Sequence, residues 1–326
     1  METLPSENQG APARKMESPV FLVGSERSGT TLLRLMLDHH PDIAFNLESE
    51  FLVSEVSDWG VFPKVADYRR KLREDRVFRH SGFEIADDLD FPALVNDFLF
   101  QKLERDRKRV VGATVHYGFS RLKYLWPRAK YIYLLRDGRD VAASVVEMGW
   151  AGNAFAGTKW WLDAEREWAE FKSSLPRDRW IEVRYEDLVA DSEAQLQRVC
   201  DLIGVKYSPR MFDYAESSSY SLPDPAQVAK WRRKLPPRDL QYLEAQIGPQ
   251  LAARGYELCC TRPQRIGPTH MQWLEWRSRV KLLQRRIAKF GFWLFALELA
   301  SRRLGCRSIN SRARHAIDTI IDQNLK

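Results

Sequence analysis

The chain of 326 residues holds only four cysteines, at positions 200, 259, 260 and 306, and no two of them form a C-x-x-C pair. That spacing excludes a zinc-ligand set and a small secreted disulfide framework, so reduced thiols are expected. Membrane-length hydrophobic runs are lacking too. The apolar stretch from Gly291 to Leu297 is bounded by Lys289 and Glu298, too short and too charged to cross a bilayer. The opening METLPSENQGAPARK has no apolar stretch after its charges. Neither a secretory signal nor an anchor is expected there, and the cytoplasm is the expected compartment. Residues 1–17, polar and Pro-containing, are expected to be disordered, and no repeat of fixed period follows them.

A broad basic surface is also missing from most of the chain. The formal net charge is +7, yet residues 262–326 alone sum to +10, so residues 1–261 sum to −3. A nucleic-acid partner is not expected, and any anion site in the main part must be local.

Short apolar runs rich in β-branched and aromatic residues occur at Val20–Val23, Ile43–Leu47, Val110–Val115, Tyr131–Leu135 and Trp180–Val183. Helix-length segments separate them, the alternation of a parallel α/β sheet. The helix after the first run, Thr30 to about His39, is apolar nearly all round and stops before Pro41, so it is expected to be buried. His39 and His40 suit its C-terminal cap. A second helix is expected to start near Asp137 or Asp140, with others over Trp160–Lys172, Ser192–Ile203 and Pro237–Arg254. From about Gln264 a long basic helix is expected, with Trp273, Trp276, Val280, Leu283 and Ile287 spaced by threes and fours.

The first strand leads through Gly24-Ser25-Glu26-Arg27-Ser28-Gly29-Thr30-Thr31 straight into the apolar helix. Such a loop aims successive backbone N–H groups at one point, and the helix N-terminus adds partial positive charge, so it suits an oxyanion. The spacing is that of the nucleotide phosphate loop G-x-x-x-x-G-K-[ST], with Thr30 where the Lys belongs. That replacement argues against ATP hydrolysis and a dedicated metal, and Arg27 is the cation within the loop.

The segment Phe21-Leu-Val-Gly-Ser-Glu-Arg-Ser-Gly-Thr-Thr-Leu-Leu resembles the 5′-phosphosulfate loop of the P-loop sulfotransferases, a strand followed by R-S-G-T-[ST]. Tyr131-Ile-Tyr-Leu-Leu-Arg136-Asp-Gly-Arg-Asp-Val-Ala-Ala-Ser144 is similar to their 3′-phosphate motif, a strand ending in R-D-x-R-D with a Ser eight residues after the first Arg. Trp180-Ile-Glu-Val-Arg-Tyr185-Glu-Asp-Leu resembles the family's Y-E-D-L strand, and Lys230-Trp231 its late K-W segment. The resemblance spans about residues 18–258 and is nearest the tyrosylprotein-like and bacterial branch.

The resemblance implies a P-loop NTPase-like three-layer α/β fold with a central parallel sheet over residues 18–261, followed by a basic helical C-terminal extension, 262–326. It implies 3′-phosphoadenosine 5′-phosphosulfate (PAPS) as sulfonate donor, no required metal, and an acceptor hydroxyl or amine. A protein tyrosine fits the resemblance, but with no anchor expected a small-molecule, lipid or carbohydrate hydroxyl is the expected acceptor. Arg27, Ser28, Gly29, Thr30, Thr31 and Leu32 would cradle the donor's 5′ end, with Arg27 stabilising charge on the bridging and leaving oxygens. Arg136 and Ser144 would bind the 3′-phosphate, with Tyr185 and Lys230 as further nucleotide contacts. The family branch's general base is the Glu 21 residues after the loop Arg, a spacing that Glu48 meets from Arg27. Glu50 and His116 are alternatives at the same sheet edge. Relatives carry a catalytic Lys in a G-x-K-x-P pattern, whereas this chain reads Gly112-Ala-Thr114-Val, and His116 supplies either that electrophilic help or a core hydrogen bond. Trp150, Phe155, Trp160 and Trp161 line an acceptor pocket or the core. Acceptor specificity is expected in Ser54–Asp97 and Gly149–Lys159. Competing readings are a small-molecule P-loop kinase, disfavoured by Thr30, and a catalytically silent nucleotide-binding or membrane-peripheral scaffold. The basic extension suits peripheral membrane contact or a homodimer interface.

Overall fold

A computed structural model describes residues 16–260, 266–291 and 297. Most of the expected disordered N-terminus, Cys306 and nearly all of the chain beyond Gly291 lie outside the described residues.

The strands are β1 (Val20–Val23), β2 (Ile43–Glu48), β3 (Val110–Val115), β4 (Lys130–Leu135) and β5 (Trp180–Arg184). The helices run α1 (Thr30–Asp38), α2 (Val65–Glu74), α3 (Arg76–Ser81), α4 (Phe91–Asp106), α5 (Leu122–Leu125), α6 (Gly138–Glu147), α7 (Ala154–Lys172), α8 (Tyr185–Ala190) and α9 (Ser192–Ile203). After them come α10 (Tyr214–Ser217), α11 (Trp231–Lys234), α12 (Pro237–Ala253) and α13 (Pro268–Phe290). The chain divides into two compact units interleaved in sequence: residues 1–25, 29–135 and 164–225 form the first, and residues 26–28, 136–163 and 226–326 the second.

The first unit holds the whole sheet, with strand order β2-β3-β1-β4-β5 and every pairing parallel. All four residues of β1 are buried, as a central parallel strand covered on both faces requires. Val23 lies in register with Val115 of β3 and with Tyr133 of β4, so the carboxyl ends of these strands share one edge. The chain leaves β1 for β2 on one side, then returns from β3 to β4 on the other. This is the reversal of strand order at which open α/β sheets place ligands. Aromatic side chains fill the layers around the sheet. Tyr133 stacks on Trp168 at 4.7 Å, and Phe51, Phe78 and Phe83 pack together with Phe98 of α4.

The second unit is helical. Phe155, Tyr242 and Leu274 form a buried cluster with Ile266 against it. α13 is fastened by Ser278 Oγ, which accepts from the Gly152 amide at 2.8 Å, by the Leu274 carbonyl on Asn153 at 2.7 Å, and by Arg285 donating to the Val146 carbonyl at 2.8 Å.

β2 ends at Glu48: its register with β3 shifts between Asn46 and Glu48, and Glu50 opens a 3₁₀ turn. Two expectations are corrected. The segment Ser54–Asp97, expected as acceptor loops, is mostly α2, α3 and the first half of α4. The apolar spacing expected to bury the late helix is not its packed face: Leu274 and Ser278 are buried, whereas Trp273, Trp276 and Leu283 are exposed. Among the described residues, no helix is long and apolar enough to cross a membrane.

Candidate active site

In the first unit, the loop after β1 has glycines where the backbone leaves the ordinary range. Gly24 sits at φ 142° and Gly29 at φ 101°. A Cβ on Gly24 would lie 2.6 Å from the Leu134 carbonyl oxygen, and one on Gly29 would lie 2.4 Å from the ring of Tyr185. Only glycine suits both positions. Tyr185, the first residue of α8, is thus packed against the entrance of α1. The Gly29 carbonyl accepts from the amides of Leu32 and Leu33 at 3.0 and 3.2 Å, closing the first turn. Thr30 and Leu32 are buried there and Thr31 is half-buried.

Thr30 begins a chain of buried polar contacts. Its Oγ1 is 3.0 Å from His116 Nε2, and His116 Nδ1 is 2.8 Å from Glu50 Oε1. The same carboxylate oxygen accepts the His116 backbone N–H at 3.0 Å. Burial works against charge on Glu50, but the hydrogen bond and charge of His116 outweigh it and hold the carboxyl below its ordinary value. Glu48, the last residue of β2, is exposed and in register with Thr114. Arg34 of α1 is held below the usual guanidinium value by burial, opposed by the charges of Asp38 and Glu48. Thr114 stands where the resemblance expects Lys. Its hydroxyl is buried and has no hydrogen-bond partner. His39 caps α1 as expected, with Nδ1 2.8 Å from the Leu35 carbonyl, whereas the His40 side chain does not cap it and instead bridges the Asp42 amide and the Lys206 carbonyl.

In the second unit, Arg27 adopts a left-handed backbone, φ 68°, uncommon for a residue with a side chain and concentrated at functional sites. Its Nε donates to Ser144 Oγ at 3.1 Å, and its guanidinium lies over the ring of Trp150 at 5.9 Å. Its carbonyl accepts from Arg136 at 3.2 Å, and the same guanidinium donates to the Gln227 carbonyl at 2.7 Å. Arg27, Arg136 and Ser144 are therefore one cluster. Burial raises the Asp140 carboxyl above its ordinary value although Arg136 lies 3.6 Å away.

The other residues of the R-D-x-R-D run are structural. The Asp137 side chain caps α6 by accepting from the Arg139 amide. Arg139 is buried between Asp137 and Glu244, each at 2.7 Å, with its guanidinium 3.9 Å from the Trp231 ring centre. Trp231 donates from its amide to Asp140 and from its indole to Asp137. This explains the pairing of an acidic motif with a late K-W segment. Lys230 is the N-cap of α11 and half-buried. Phe155 and Trp161 belong to the core, whereas Trp150 is exposed beside Arg27. Sequence reasoning weighed Glu50 and His116 separately and missed their pairing across 66 positions, because nothing local marks it. It also missed the carbonyl of Gln227. Among the described residues no group of three His, Cys, Asp or Glu side chains could hold a metal ion.

The chain is similar to known proteins in sequence and in fold. The chain is 24% identical over 267 residues to protein-tyrosine sulfotransferase A of Caenorhabditis elegans, covering 73% of this chain and 67% of that protein. Among solved structures, the sulfotransferase domain of the Synechococcus PCC 7002 olefin synthase superposes with a TM-score of 0.56 at 21% identity, covering 77% of this chain and all of that one. The sulfotransferase domain of the curacin biosynthetic pathway does so with a TM-score of 0.55 at 20% identity, covering 75% of this chain and all of that one. These two likenesses concern the fold. The profile of the Sulfotransferase family matches residues 19–209, from the strand that opens the phosphate loop to beyond the Tyr185 motif, and the chain belongs to that family.

Proposed function

We propose that the protein transfers a sulfonate group from PAPS to an acceptor hydroxyl by in-line displacement, with Glu48 as general base. The observation that carries the reading is the cluster of Arg27, Ser144 and Arg136. A loop cation and two residues of a motif more than 100 positions away are joined by hydrogen bonds of 3.1 and 3.2 Å. Two arginines and a hydroxyl converging on one locus suit phosphate oxygens. The loop amides at the start of α1 suit the donor's 5′ end, and Arg136 with Ser144 its 3′-phosphate.

In the transfer, the acceptor oxygen bonds to sulfur as the bond from sulfur to the 5′-phosphate oxygen breaks. Adenosine 3′,5′-bisphosphate leaves, and the acceptor's proton passes to Glu48. The loop amides and Arg27 stabilise the charge that grows on the leaving phosphate. Glu48 is favoured over Glu50 because its carboxylate is exposed at the end of β2, whereas Glu50 is committed to His116. A proton acceptor must be reachable by the entering hydroxyl.

The C. elegans relative is named for protein tyrosine, so phenols belong in an acceptor screen beside aliphatic alcohols, sugars and lipids. The test is transfer of labelled sulfonate from PAPS, without added metal, to such a panel. Labelled product from wild type and none from Glu48→Gln supports the reading. Transfer of phosphate from Mg·ATP instead would replace it with the kinase reading.

A further inference from the structure

The loop and β3 each lack a lysine where an anion-handling site would use one, and threonines stand in both places: Thr30 opens α1 and Thr114 lies in β3. What the first unit holds next to Thr30 is a buried imidazole backed by a buried carboxylate. His116 is 6% exposed and Thr30 4%. A carboxylate can only accept, so the 2.8 Å contact to Glu50 requires a proton on His116 Nδ1. The Glu50 carboxylate accepts from both the ring and the backbone amide of His116. A buried carboxylate without a charged partner is costly.

The second ring nitrogen decides what Thr30 can do. If Nε2 accepts, the threonine proton is spent on the ring, and the hydroxyl turns only lone pairs to an anion. If Nε2 donates, the hydroxyl proton is released for that anion. Resting on the donor reading above, we infer that His116 is an imidazolium clamped between Glu50 and Thr30. It donates to Thr30 Oγ1, so that the threonine hydroxyl donates to the 5′-phosphate of the donor and of the leaving bisphosphate.

A positive charge in place of the absent lysine, beside that of Arg27, is thereby supplied one residue removed, through a hydroxyl. His116 and Glu50 are positioning residues, and Thr30 is the group that touches the nucleotide. Of the charged groups on the surrounding elements, Glu50 is in contact with the ring and favours its cationic form. Glu48 lies on β2 in register with Thr114, and Glu167 of α7 accepts from the amides of Gly118 and Ser120 just beyond His116. Arg34 on α1 interacts in charge with Asp38 and Glu48.

The test compares adenosine 3′,5′-bisphosphate with 3′-AMP by calorimetry from pH 6.5 to 9.5, above the range in which a phosphate monoester takes up its second proton near pH 6. The ratio of the two dissociation constants isolates the 5′-phosphate. In wild type the ratio should be constant at low pH and fall about tenfold or more with a one-proton slope as His116 deprotonates, the scale of a hydrogen bond to a charged group. Glu50→Gln should move that fall to lower pH, and Thr30→Val should lower the ratio about tenfold and remove its pH dependence, with Thr30→Ser restoring both. A wild-type ratio independent of pH, or one unmoved by Glu50→Gln, overturns the inference while leaving the donor reading intact. Failure of wild type to prefer the bisphosphate overturns the donor reading and the inference together. A measurement free of variants and nucleotide is the ¹⁵N shift of the His116 ring in the unliganded protein, assigned through its backbone amide. Two protonated nitrogens at pH 7.5 are expected, and a neutral ring at pH 7 would contradict the inference.

Discussion

Glu48 and Glu50 are two positions apart and meet opposite environments. The register shift at the end of β2 leaves one carboxylate exposed and turns the other onto His116. Glu48→Gln is expected to leave bisphosphate affinity nearly unchanged and to lower kcat by about 10²-fold or more, read in a steady-state transfer assay. Unchanged turnover would move the base elsewhere. Glu50→Gln is a stability variant as well. Because the folded carboxyl lies below its ordinary value near 4.5, its stabilisation is present above that value and lost as pH falls through the folded pKa. Thermal unfolding should therefore show wild type ahead of Glu50→Gln at pH 7, by about 2 kcal/mol, with the gap closing toward pH 3.

Arg136→Ala should weaken binding of adenosine 3′,5′-bisphosphate far more than binding of 5′-AMP, and equal losses would place Arg136 outside the 3′ site. The adjacent thiols differ too. Burial and then the hydrogen bond to Glu244 raise Cys260 to about 11, burial raises Cys200 to about 11, and Cys259 is exposed. Alkylation at pH 8 read by peptide mapping should label Cys259 before Cys260 and Cys200, because the thiolate is the reactive form.

Elements differ in how plainly the sequence announces them. β1, the loop and α1 were legible because a short apolar run, two glycines and an apolar nonamer each have one physical reading. The start of α6 was legible from Asp137, whose side chain caps it. α4 carried equally clear signals, Asp90 as N-cap and Pro92 in the first turn, yet it falls in a stretch expected to be loops. Its apolar residues surround the helix, so no single stripe stands out from the sequence. The packed face of α13 was misread for a different reason. Its large apolar residues point outward, and contact is made through Leu274 and the small Ser278, which meets the Gly152 amide. Leu274→Ala should cost about 2–5 kcal/mol in denaturant unfolding, whereas Trp276→Ala, at a residue 60% exposed, should stay within about 0.5 kcal/mol. Arg139→Met should cost more than most surface changes, about 3–5 kcal/mol, because it leaves Asp137 and Glu244 buried without their cation.

At the scale of the molecule, the distribution of charge implies that any anion site in residues 1–261 is local, since they are slightly acidic. The α/β class followed from alternating strands and helices, and the parallel sheet with order β2-β3-β1-β4-β5 agrees. What a linear reading cannot supply is the long-range pairing within each unit. Glu50, in the turn after β2, meets His116, the residue after β3, and Arg27 meets Ser144 through the course of the loop. The interleaving of the two units was likewise hidden, because residues 26–28 and 136–163 leave the sheet-bearing unit and later segments return to it.

The central claim is that this chain binds a 3′-phosphorylated adenosine nucleotide without a metal, and calorimetric titration with adenosine 3′,5′-bisphosphate, ADP and ATP, each with and without Mg²⁺, tests it most directly. Tight binding of the bisphosphate that ignores Mg²⁺, with ADP and ATP weak, is the predicted result. Preference for Mg·ATP, or no binding of any of the three, would contradict it.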